Sequence, residues 1–154
     1  MNVFKWCEIK AACAVVLVLI LAANPAFAAD ISVSQAWMRA TIGAGGNSAA
    51  YMTIANAGSA ADVLTGVTTP VAGMADVHQT VEDNGMMKME AVPKLEIPAG
   101  GSVSLSPGGY HVMVMQVGKK LTAGDTVPMT LTFERAGAVD IDVPVVPLGA
   151  SGPG

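Results

Sequence analysis

The sequence predicts an all-β domain, an antiparallel sandwich or Greek-key barrel, on three observations. Apolar and polar residues alternate over short runs, Gly and Pro clusters interrupt those runs at close intervals, and no long stretch keeps a helical period. Roughly six to nine such strands fit into the chain after its N-terminal leader.

Residues 1–28 are expected to be a cleaved signal peptide. Lys5 and Lys10 supply the positive start, residues 11–23 are an apolar run, and Ala26-Phe27-Ala28 is a small-x-small cleavage site. Asn24 and Pro25 end the run well short of the roughly 20 apolar residues that a membrane helix needs. Cys13 follows Lys10-Ala11-Ala12, which argues against a lipoprotein signal. The expected organisation is therefore one β-domain over residues 29–148, with no membrane span after cleavage, and a disordered Gly-rich tail over 149–154.

The strand signals then come in order. Ile31-Ser32-Val33-Ser34 opens with period-two alternation, and Gly43-Ala44-Gly45-Gly46 precedes a second run over 49–55. Residues 74–80 and 86–91 read as further strands, which would set Val77 and His78 on opposite faces and Met87 and Met89 on one. Val103-Ser104-Leu105 alternates and stops at the strong turn Pro107-Gly108-Gly109, ahead of the run 110–117. Met129, Leu131 and Phe133 share one parity, as do Val139, Ile141 and Val143 around Asp140 and Asp142.

Composition narrows the function. The whole chain has a formal net charge of −4, and an acidic domain without a basic stripe offers no footing for nucleic acid. Both cysteines, Cys7 and Cys13, leave with the leader, so the exported form has no thiolate and no disulfide. Little general-base capacity remains, no Gly-x-Ser-x-Gly elbow occurs, and Gly43–Gly46 lack the Gly-Lys-Ser/Thr ending of a phosphate loop. An enzyme is not expected.

The chain's two histidines stand in one spacing with methionines: His78, ten residues, Met89, twenty-one residues, His111, one residue, Met113. Residues two apart on a strand point the same way, so His111 and Met113 share a face. Thioether sulfur favours copper(I) over hard cations, and imidazole is compatible with it. Two neutral imidazoles and two thioethers leave the +1 charge of the ion intact, and thiolates, stronger donors, would take it away. Zinc prefers Cys, His and carboxylate, and a blue-copper site needs a Cys thiolate. The set therefore reads as a carrier of copper(I). The competing reading is an exported β-sandwich module with no metal role, because methionine is also a flexible core filler. Met52, Met74 and Met129 are expected in the core, and Met86, Met87 and Met115 in the core or in an outer wall of the site.

From about Ala36 to Val146 these residues resemble the periplasmic copper(I) chaperones usually called PCuAC. The likeness is carried by residues 47–52, 76–92, 105–113 and 120–133, and by the family's ligand pattern His-x10-Met-x21-His-x-Met, which is met without a gap. The resemblance implies that His78, Met89, His111 and Met113 are the copper(I) ligands. It also implies a cupredoxin-like β-barrel in the periplasm with the metal near the surface. It further implies delivery toward assembly of the cytochrome c oxidase copper centre, directly to that subunit or through a Sco-type protein. Some members carry a Met- and His-rich C-terminal extension for copper(II). The ending Gly-Ala-Ser-Gly-Pro-Gly has no such ligand.

Overall fold

In the computed structural model, which describes residues 30–154, strands form where the alternation is strongest. The expected signal peptide, 1–28, lies outside the described residues. Ten strands follow one another: β1 (Ile31–Arg39), β2 (Ser48–Asn56), β3 (Asp62–Thr68), β4 (Ala72–Asp83), β5 (Met86–Ala91), β6 (Leu95–Ile97), β7 (Ser102–Leu105), β8 (Tyr110–Val117), β9 (Thr126–Phe133) and β10 (Gly137–Val146). The described residues are all-β, and no helix among them is long and apolar enough to cross a membrane. Strands β3 and β6 carry too few alternating residues to stand out in the sequence.

The strand order is β5-β4-β8-β2-β1-β10-β9-β3-β6, with β7 also on β2. One joint corrects the purely antiparallel expectation: β1 runs parallel to β10, with Met38 opposite Val145 and Arg39 opposite Val146. The cause is local. Gln35 has φ of 53°, and the β1–β2 register shifts between Ser34 and Trp37. Such a bulge bends the strand, and its second half then lies beside β10 as well as β2.

The main core gathers side chains from both ends of the strand order, and a smaller cluster of Trp37, Tyr51 and Val146 stands apart from it. Ala50, Met52, Ile54, Val77, Val112 and Val114 enter the main core from β2, β4 and β8, facing Leu64, Val67, Val127, Met129, Leu131, Phe133 and Val143 from β3, β9 and β10. Met52 and Met129 are buried as expected, whereas Met74 is 49% exposed. Parity explains the correction. Met74 lies an odd number of residues from Ala75 and Val77, which hold the inner face, so it points outward with His78.

Turn chemistry sets the two hairpins that matter for the site. Asn84 and Gly85 have φ of 52° and 79°, the two-residue left-handed turn that suits the twist of paired strands, and it joins β4 to β5. Gly108 has φ of 87° after Pro107, and Gly109 N–H donates to the Ser106 carbonyl at 3.0 Å. That is a type II turn, and it fixes where β8 begins.

Asp62 fastens the far end of the domain. Its carboxylate accepts from the backbone N–H groups of Val63 and Arg135 at 2.8 Å each and of Ala136 at 2.9 Å. Burial alone would raise its pKa, but those three donors and the charge of Arg135 outweigh it and hold the pKa below the ordinary 3.8. Asp62→Ala should therefore lose about 2–3 kcal/mol in urea unfolding at neutral pH, because charge-assisted bonds are lost and buried donors are orphaned. A depressed folded-state pKa stabilises fully above the unfolded value and loses that contribution as pH falls through the folded value. Wild type should weaken in that acid range, and Asp62→Asn should lack this component of the pH dependence.

Candidate metal centre

Strands β4 and β8 pair antiparallel, and the register sets His78 directly opposite His111. Directly paired residues point to the same face, so the two imidazoles stand side by side on the face of the sheet away from the main core, His78 half-buried and His111 buried. Their ring centres are 6.0 Å apart. With metal–nitrogen bonds of about 2.0 Å, two imidazoles sharing one ion have ring centres roughly 5–6.5 Å apart. The observed separation lies within that range.

The hydrogen bonds leave nitrogen lone pairs free. Nδ1 of His111 lies 3.2 Å from the Gly109 carbonyl. A carbonyl only accepts, so this nitrogen carries the proton and Nε2 holds the lone pair. That Nε2 is buried without a partner, and so is Nδ1 of His78. Unpartnered buried nitrogens cost about 1–3 kcal/mol each, and two of them facing one patch call for an explanation. An ion bound by both nitrogens, His78 taking the tautomer with Nδ1 unprotonated, would supply one. The same Gly109 carbonyl accepts from Thr80 N–H at 3.1 Å, so the turn ahead of β8 orients the ring and ties it to β4.

The methionines divide. Met113 is half-buried, opposite Asp76 on β4 and two residues from His111, so it joins the histidine pair along one diagonal. Met89 is opposite Thr80 on β5, the diagonal on the other side of His78. It is 59% exposed and sits on the edge strand. The register thus gathers His78, His111 and Met113 into one patch and leaves Met89 at its border, on the exposed edge strand. Met87 shares the Met89 face, opposite Glu82. Neither Glu82 nor Asp83 reaches an imidazole. Asp83 instead accepts from Lys88 and Asn84.

On the other flank an aromatic wall backs the patch. Tyr51 lies 6.5 Å from the His111 ring and 4.5 Å from Trp37, and the Arg39 guanidinium carbon is 5.7 Å from the Tyr51 ring centre. Arg39 Nε donates to the Ala150 carbonyl at 3.2 Å, and Ala150 packs on Trp37 and Tyr51. Ala150, within the Gly-rich tail, is thus held by an arginine and an aromatic pair. These residues escaped the sequence reading. The signal was parity: Trp37 and Arg39 on one strand, Ala49 and Tyr51 on the next.

Among the described residues no three His, Cys, Asp or Glu side chains group to hold a metal. The donors at this patch are two imidazoles and a neighbouring thioether, and thioether sulfur suits soft ions.

Comparison with known proteins supplies the family and the fold. The model of the family described as "Putative lipoprotein LpqE-like" matches residues 31–145. The protein named "Putative lipoprotein Lxx21020", from Leifsonia xyli subsp. xyli (strain CTCB07), is 37% identical over 126 residues, 80% of this chain and 75% of the relative. The copper-bound PCuAC domain from PmoF2 superposes with a TM-score of 0.66 at 27% identity, over 77% of this chain and 93% of that one. The solution structure of CuI-DR1885 from Deinococcus radiodurans gives 0.58 at 32% identity, over 81% and 85%.

Proposed function

This chain belongs to the LpqE-like family and has the fold of PCuAC domains, and on that premise we propose that it is an exported copper(I) carrier with His78, Met89, His111 and Met113 as ligands. Residues 1–28 are then a signal peptide removed on export, and 29–148 the carrying domain in the periplasm. The description of relatives as lipoproteins and the copper-bound state of similar structures support this reading. The observation that carries it is the facing histidine pair with two buried, unpartnered ring nitrogens beside a thioether.

The chemistry of the donors fits a carrier. Neutral imidazole and thioether bind copper(I) without changing its charge, and the patch opens at the edge strand, so a thiolate-rich acceptor can approach from that side. Hand-over toward the copper centre of cytochrome c oxidase, to that subunit or to a Sco-type protein, is the destination we propose. No catalytic step is required of any residue.

Titrating the mature chain with copper(I) against a competing chelator tests the proposal. One equivalent should be retained at neutral pH. No retained copper would instead make the protein an exported β-sandwich module without a metal role. Because protons compete with the metal for imidazole nitrogen, affinity should fall as the solution is acidified. An affinity unchanged between neutral pH and about pH 5 would exclude the histidines as ligands.

A further inference from the structure

Beyond the histidine patch, the same face of β4 and β8 continues in sulfur. Met74 and Met115 are direct register partners, the second pair along this face from His78 and His111. Between them lies the pair Asp76 and Met113. The neighbours of opposite parity, Ala75, Val112 and Val114, are buried in the core. Met74 is left 49% exposed, and Met115 is half-buried. We propose that Met74 and Met115, sharing Met113 with the histidine site, form a second copper(I) site built of thioethers alone. This rests on the copper(I)-carrier reading.

The geometry suits a soft ion. Directly opposed strand residues have Cβ atoms about 4.5–5.5 Å apart, and diagonal ones about 7–8 Å, within reach of long side chains. Methionine has three rotatable bonds to adjust its sulfur, so three such side chains on one face can converge on one ion. Thioethers have no proton to shed, so binding here releases none. Asp76, exposed on the same face, sets a carboxylate between the two sites to offset the charge of the ion. With Met113 common to both, copper(I) passes between them by ligand exchange, with no electron transferred and no proton moved.

Anaerobic titration of the mature chain with copper(I), followed through 13C-labelled methionine methyl signals, tests this. The first equivalent should shift the Met89 and Met113 methyls, and the second those of Met74 and Met115, with Met113 shifting again because its sulfur is common to both sites. Met74→Leu and Met115→Leu should each lose the second equivalent and keep the first, and these volume-conserving changes leave the fold intact. His78→Ala should lose the first and keep the second. Met74 and Met115 methyls that stay still through the second equivalent overturn the second site alone. Absence of both steps overturns the carrier reading along with it.

Discussion

His78→Ala is expected to weaken copper(I) binding by at least about 100-fold while leaving the domain folded. Residues that merely orient a metal ligand contribute about 10–100-fold to affinity, so loss of a ligand should exceed that range. His78 stands at the centre of the patch, opposite His111 and diagonal to both Met113 and Met89. Its Nδ1 has no protein partner to lose, and the residue is half-buried on the outer face. Removing the ring therefore deletes a donor without opening the core. Met113→Ala should act the same way with a smaller loss, since one thioether leaves and both imidazoles remain. Chelator competition reads the affinity, and thermal unfolding of the apo form reads the fold. An apo form that unfolds in either variant would mark that residue as part of the packing instead.

Leu131→Ala should cost about 2–5 kcal/mol of stability and lower the melting temperature by roughly 10–20 °C. Leu131 is fully buried on β9, paired with Val67 of β3 and Val139 of β10. Strands on both sides hold the backbone, so the space left by the side chain cannot collapse. A domain's whole stability is about 5–15 kcal/mol, so the change is a large part of it. Leu148→Ala, at a residue 52% exposed, should stay within about 0.5 kcal/mol. Urea midpoints of the two variants compare them directly. Equal midpoints would contradict the placement of the core.

What the sequence discloses follows from parity. Along β9 and β10 the apolar residues take one face and Thr or Asp the other, so strand and core were both legible. The same rule separated Val77 from His78 and paired His111 with Met113. Applied to Met74 it would have placed that side chain outside with His78. Methionine's habit of filling cores was the weaker guide there. Asn84-Gly85 is a strong hairpin signal, and it joins the strands that bear His78 and Met89.

Register was not legible. The pairing of His78 with His111 joins strands far apart in the chain, and a slip of one residue would turn every side chain to the other face. Burial of Val77 and Val112 against the opposing layer fixes it. The parallel β1–β10 joint was hidden for a similar reason, since it depends on a bulge at Gln35. The aromatic wall and the seat of Ala150 arise only once β1, β2 and the tail are side by side.

X-ray absorption on the mature chain loaded with one equivalent of copper(I) counts the neighbours of the ion. Two nitrogen and two sulfur scatterers around one copper are expected from His78, His111, Met89 and Met113. A shell of nitrogen and oxygen alone, with no sulfur, would contradict the account.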